Sequence, residues 1–168
     1  QQATVTFTLF RGRLDCMQVA VCGASVCDDE LLAAAETIGR TIAEHGGILL
    51  TGGRSGVMAA ASRGAQKAGG VVVGVLPDLS DGNVHLTVRI RTGMGHARNV
   101  VLVQSADAVV AVGGEFGTLS ELAVALKEGI PVVCYRSWDL PGVVHAPSPE
   151  AAALAGLKAA RNAVRRSG

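Results

Sequence analysis

The stretch Val109-Val110-Ala111-Val112-Gly113-Gly114-Glu115-Phe116-Gly117-Thr118-Leu119-Ser120-Glu121 decides the fold. Residues 108–112 are apolar throughout, the pattern of a strand covered on both faces in a parallel sheet. Gly113, Gly114 and Gly117 let the backbone turn sharply and place no Cβ between the chain and a ligand. Thr118 and Glu121 then open an amphipathic helix carrying Leu119, Leu122, Val124, Ala125 and Leu126. A helix start behind glycines presents free N–H groups and the positive end of the helix dipole, a setting for phosphate or carboxylate. Thr118 and Glu121 also read as a capping box, T-x-x-E, that serves the helix alone.

The same alternation extends in both directions. Gln18–Cys22 reads as the first strand, with Gly23-Ala24-Ser25 turning into a helix capped by Asp28 or Asp29 and running to about His45. Ile48–Thr51 is the second strand, and Gly52-Gly53-Arg54-Ser55-Gly56 opens a helix through Ala68. Val71–Leu76 and Val88–Arg91 are strands three and four, separated by a polar loop over 78–87. Gly93-Met94-Gly95 leads into a helix carrying His96, Arg98 and Asn99. After the central stretch come a strand at Val132–Tyr135, a short one at Val143–His145, and a last helix to about Arg165. Ser148 caps that helix, Pro149 opens it and Arg161, Arg165 and Arg166 suit its negative end. Alternation of this kind specifies an α/β, doubly wound, Rossmann-like domain with a mostly parallel six- or seven-stranded sheet. Ligands of such sheets bind beyond the carboxyl ends of the strands, where strand order reverses. The turns at 23–25, 52–56, 93–95 and 113–117 all lie on that edge. Residues 1–16 stand apart from the domain at 17–168: Thr4–Phe10 alternates like an edge strand, and Met17 reads as an original start, with a dimer-contacting arm the alternative.

Composition narrows the classes. In 168 residues, 49% are hydrophobic and only 3% aromatic, so the core is built from Val, Ala, Leu and Ile. A net charge of +1 gives no footprint for nucleic acid or an anionic membrane, and no apolar run has the length of a membrane span. The four cysteines, Cys16, Cys22, Cys27 and Cys134, fit no zinc or redox spacing, and Cys22 and Cys134 read as buried apolar residues. Reduced thiols in a cytoplasmic protein are the expectation. The four histidines are scattered, so no metal site is expected.

The ligand is narrowed by elimination. The first turn is G-A-S rather than G-x-G-x-x-G, and strand two ends in Thr51 where a dinucleotide site needs an acid. There is no G-K-[ST], and Lys67, Lys127 and Lys158 fall in helices, away from any pyridoxal-phosphate position. What remains is a phosphate cradle with two charged side chains, Arg98 and Glu121, in the first turns of their helices. An arginine there binds phosphate or polarises a leaving group. A carboxylate holds ribose hydroxyls and stabilises positive charge at an anomeric carbon. The pair suits cleavage of an N-glycosidic bond in a nucleoside 5′-monophosphate; a surface ion pair is the structural alternative.

Three segments carry a family resemblance: Ile48-Leu-Leu-Thr-Gly-Gly-Arg-Ser-Gly-Val-Met58, Gly93-Met-Gly-His-Ala-Arg98 and Gly113-Gly-Glu-Phe-Gly-Thr-Leu-Ser-Glu121. Over about residues 17–136 the chain resembles the superfamily of Lonely Guy phosphoribohydrolases and molybdenum-cofactor carrier proteins, many of them called "lysine decarboxylase-like". The phosphoribohydrolases carry P-G-G before G-T-x-x-E and an E-R-K run; here Val112-Gly113-Gly114 and Ala97-Arg98-Asn99 stand in those places. The carrier branch is similar at just these points, through L-L-T-G-G-R-S, V-G-V-L-P (Val73–Pro77), T-G-x-G-x-A-R and V-A-V-G.

The resemblance implies a carrier-type protein that binds a phosphate-bearing small molecule, such as the molybdenum cofactor or a nucleotide monophosphate, without chemistry. Phosphoribohydrolase activity on purine (cytokinin-type) ribonucleoside 5′-monophosphates is the alternative, with Arg98 and Glu121 catalytic, and a regulatory nucleotide sensor is a third. The expected ligand-binding set is Gly23, Ser25, Gly52, Gly53, Arg54, Ser55, Gly95, Arg98, Gly113, Gly114, Gly117, Thr118 and Glu121. Met94 is expected to line the pocket, and His96 is a candidate acid more readily explained as a cap. Alanine-rich helix faces at 57–68 and 118–128, together with the family's habit, imply a homodimer or homotetramer.

Overall fold

A computed structural model describes residues 16–166, so the expected N-terminal extension and its edge strand lie outside the described residues, Cys16 aside. The elements follow in the order β1 (Gln18–Gly23), α1 (Asp29–Glu44), β2 (Ile48–Thr51), α2 (Val57–Lys67), β3 (Val72–Leu76), β4 (Val88–Arg91), a 3-10 turn (Gly95–Ala97), α3 (Arg98–Gln104), β5 (Ala108–Val112), α4 (Phe116–Lys127), β6 (Val132–Tyr135), β7 (Val144–His145) and α5 (Pro149–Arg166). The seven strands form one sheet in the order β4-β3-β2-β1-β5-β6-β7, every pair parallel. Strand order reverses between β1 and β5, where Gly23 sits opposite Val112. The turns that leave these two strands are therefore neighbours at the switch point. Two connections depart from strict strand–helix alternation: β3 passes to β4, and β6 to β7, through irregular chain.

The central strands split their side chains between two cores. In β5, Ala108, Val110 and Val112 face α1, α2 and α5, while Val109 and Ala111 face α3 and α4. All five are fully buried, as expected of a central parallel strand. Local signals hold at both ends of the chain. Asp28 caps α1 by accepting from the Leu31 amide at 2.8 Å, and Ser148 Oγ accepts from Ala151 N at 3.1 Å at the start of α5. Cys22 and Cys134 are buried as small apolar residues, and the four cysteines are unpaired. Among the described residues, no helix is long and apolar enough to cross a membrane, and no group of three or more His, Cys, Asp or Glu side chains is placed to hold a metal ion.

The α1–α2 contact has a backbone-to-backbone approach. A Cβ on Gly39 would fall on the Ala61 carbonyl, and one on Gly64 on the Glu36 carbonyl. Ala60, Ala61 and Ala65 are buried in this region, so the small-residue face of α2 is used inside the chain. Glu36 closes the contact by accepting from Arg63 at 2.6 Å and Lys67 at 2.9 Å. Those hydrogen bonds hold the Glu36 carboxyl down at about 2. Its unfolded value is near 4.5, so its stabilisation is complete above that pH and is lost as pH falls through 2. Glu36→Gln should lower the melting temperature by about 1–3 °C at pH 7, as expected for a partly exposed pair, and by less in scans approaching pH 2.

The helix after β5 begins two residues earlier than expected. α4 starts at Phe116, with Glu115 as its cap residue and no side-chain bond from it. Thr118 is thus the third helical residue and Glu121 lies in the second turn rather than the first. Both are buried. This rules out the capping box and turns both side chains inward.

Candidate functional site

The carboxyl edge of the sheet carries a cavity of about 540 Å³ that extends over the strand ends from β3 to β5. β1 contributes Gly23 and, just past it, Ser25; the β2–α2 turn contributes Arg54, and α2 adds Met58. Gly95, His96, Arg98 and Asn99 come from the 3-10 turn and α3, and Gly117, Thr118 and Glu121 from α4. Pro77 and Asp78, just past β3, complete the wall. Eight of the expected residues therefore line one cavity: Gly23, Ser25, Arg54, Gly95, Arg98, Gly117, Thr118 and Glu121.

The remaining expected residues build the walls from behind. Gly52 is the seat of Arg98, because a Cβ there would coincide with its guanidinium. Gly53 and Ser55 line an adjoining groove of about 680 Å³, joined to the cavity through Arg54 and Asp78. Ser55 Oγ donates to the Ser25 carbonyl at 3.2 Å, tying the β1 and β2 turns together. Gly113 and Gly114 shape the entrance to α4. Gly114 has φ 114°, and a Cβ on it would strike Thr118 at 2.5 Å. The segment after β6 braces this turn: Ser137 Oγ donates to the Gly113 carbonyl at 2.5 Å and Trp138 Nε1 to the Glu115 carbonyl at 3.3 Å. Met94 is half-exposed and lies outside the lining.

Arg98 is the unusual group. Its side chain is only 7% exposed, yet Nε and Nη1 are buried without a hydrogen-bond partner. Burial lowers its pKa, an effect opposed by the nearby Glu121 carboxylate. Arginine still stays protonated, so the chain holds a buried cation, two of whose donor atoms make no hydrogen bond to the protein. Glu121, also 7% exposed, is pushed up to about 7 by burial, against the pull of Arg98 and of the Cys22 thiol. The two therefore form no surface ion pair. Above them, α4 closes its first hydrogen bond at Leu119 N to Glu115 O, so the preceding N–H groups lack intrahelical acceptors. A buried guanidinium, a helix start and the Thr118 hydroxyl suit one tetrahedral anion.

Asp78, Asn99, Met58 and Pro77 were not anticipated. Pro77 and Asp78 follow β3 onto the same sheet edge, but no glycine turn marks them. Asn99 holds α3 to α4 by donating to Ser120 Oγ at 3.0 Å. Asp78 competes for Arg54, which donates to it at 3.2 Å. Bonds from the Ser80 hydroxyl and amide hold the Asp78 carboxyl below its ordinary value. Asp78→Asn should remove the partner of Arg54 and, for an exposed ion pair, shift the melting temperature by no more than about 2 °C.

Residues 16–164 match the model of the SLOG cluster4 family. The chain belongs to that family. Among solved structures, it is similar to the molybdenum cofactor carrier protein of Chlamydomonas reinhardtii, with 37% identity, TM-score 0.79, and coverage of 85% of this chain and 98% of that one. The molybdenum cofactor binding protein of the phototrophic bacterium Rippkaea orientalis gives 38% identity and TM-score 0.77, over 82% and 93% of the two chains. A cytokinin riboside 5′-monophosphate phosphoribohydrolase of Mycobacterium tuberculosis is 32% identical over 130 residues, 70% of this chain and 68% of that protein. The SLOG cluster4 chain thus stands among ligand-binding proteins of both kinds that its motifs resemble.

Proposed function

We propose that this SLOG cluster4 protein is a carrier-type binding protein for a phosphate-bearing small molecule, with the pterin phosphate of the molybdenum cofactor as its cargo. The observation that carries the reading is Arg98, whose buried, unpartnered Nε and Nη1 lie at a cavity that also takes the start of α4. The likeness to two molybdenum cofactor proteins over most of the chain supports the choice of cargo. On this reading the amides at 116–118, the Thr118 hydroxyl and Arg98 hold the phosphate. Arg54 adds charge at the rim, and Glu121 meets amine or hydroxyl groups of the ligand. A cytoplasmic protein that assembles as a homodimer or homotetramer fits the same reading. Support for assembly comes from Val88 and Ile90 of β4, which share the α3–α4 face of the sheet and remain partly exposed.

A second reading is favoured by Glu121, a buried carboxyl pushed up to about 7 beside a cation, and by the Mycobacterium relative. It makes the protein a phosphoribohydrolase, releasing a base and ribose 5-phosphate. One experiment separates the two. The protein is incubated with AMP and an N6-prenylated AMP while free base is followed by chromatography, and in parallel with molybdenum cofactor released from a molybdoenzyme, followed by gel filtration and metal analysis. Molybdenum retained at one per site with no base released establishes the carrier. Base release that disappears in Glu121→Gln establishes the hydrolase. Neither result would sink both readings.

A further inference from the structure

We propose that Phe116 and Trp138 form an aromatic lip on the cavity that stacks against a planar heteroaromatic group, a nucleobase or pterin, of the bound phosphate ester. This inference rests on the phosphate reading above and names the part of the ligand outside the anion site. The chain has five aromatic residues, three Phe, one Trp and one Tyr, and two of them meet here. Phe116 is the first residue of α4, adjacent to Gly117 of the cavity lining, and is 80% exposed. Trp138 packs on the core beneath α4 and is pinned by its indole N–H to the Glu115 carbonyl at 3.3 Å. The two ring centroids are 6.2 Å apart with planes tilted by 32°, within the range of favourable aromatic pairs. The apolar ring is thus backed by a fixed partner and left bare on its outer side. The cavity beyond Gly117 is lined by Thr118, Glu121 and Arg98, polar groups that suit a phosphate and a sugar. Pro77 and Met58 belong to the cavity lining; Phe116 and Trp138 do not, and Phe116 adjoins it through its neighbour Gly117. The same turn that holds the anion site, Gly113 to Glu115, is bonded to the segment carrying Trp138. Two hydrogen bonds therefore tie the lip to the turn that opens α4.

Trp138 is the chain's single tryptophan, so its fluorescence reports this place alone. AMP and ribose 5-phosphate are titrated into the wild type and Phe116→Ala, with calorimetry for affinity, Trp138 emission for stacking and sedimentation for assembly. The expected result is that both probes bind the wild type and only AMP changes the emission. Phe116→Ala then weakens AMP by about tenfold while ribose 5-phosphate is unaffected, the scale of one base on one aromatic ring. Equal affinities of AMP for the two proteins, or equal losses for both probes, would overturn the lip and leave the phosphate site standing. A change of assembly in Phe116→Ala with AMP affinity intact would also overturn it, by assigning the ring to a contact between copies. If neither probe binds the wild type, the lip is overturned, and cofactor retention in the gel-filtration test decides the phosphate reading separately.

Discussion

Arg98→Met is expected to abolish retention of a phosphate ligand and at the same time to make the empty protein more stable. The two effects have one cause. A permanent cation is buried against Gly52, and two of its donor atoms make no hydrogen bond to the protein. Such a group is destabilising, and an apolar side chain of similar length removes the penalty while filling the space; about 1–3 kcal/mol is the usual scale. A phosphate loses those same donors, each a charge-assisted bond, so AMP or ribose 5-phosphate should bind at least about 100-fold more weakly. Calorimetric titration measures the second effect and thermal unfolding the first. A variant that is less stable than the parent would show that Arg98 holds the fold together, and the binding argument would lose its main support. Gly52→Ala is the companion test. It keeps the charge but pushes the guanidinium off its seat, so affinity should fall with no gain in stability.

The fold was legible in the sequence because its signals are local. Gly–Gly pairs, Asp28, Ser148 and Pro149 mark element ends, and apolar runs such as Ala108–Val112 mark central strands. The site was legible where glycine turns mark the sheet edge, which led to Gly23, Arg54, Gly95 and Gly117. Asp78 and Asn99 escaped because no turn chemistry distinguishes them, and their place follows only from strand order and helix packing. The start of α4 was misplaced for a different reason. Glu115 enters the helix without a capping side chain, so the only visible cap signal, Thr118 with Glu121, pointed two residues too far along. That error hid the burial of Glu121, which is what gives the carboxyl its altered chemistry. Arg98 was legible as a charge, but its lack of a partner appears only once Gly52 and β2 are seen beneath it.

Glu121→Gln is expected to have an effect on stability whose sign and pH window are fixed by its shift. Folding raises this carboxyl from 4.5 to about 7, with burial the principal cause. Between those values the folded protein holds a proton that the unfolded chain has released. Stability therefore falls as pH rises from 4.5 to 7 and stays low above it. At about 1.4 kcal/mol for each pH unit, the penalty reaches about 3 kcal/mol. Glutamine carries no such penalty. The variant should match the parent near pH 4.5 and melt about 5–10 °C higher above pH 7. A constant difference across that range would show that Glu121 is not held neutral by burial. The same variant divides the two functions. A hydrolase that needs the ionised carboxylate should gain rate with an apparent pKa near 7 and lose base release in Glu121→Gln by about 100-fold or more. A carrier has no rate to lose, and its affinity for AMP should change by about tenfold at most, because Arg98 and the start of α4 still hold the phosphate. A buried carboxylate that lowers stability at neutral pH and affects neither binding nor turnover would have no role that this site explains.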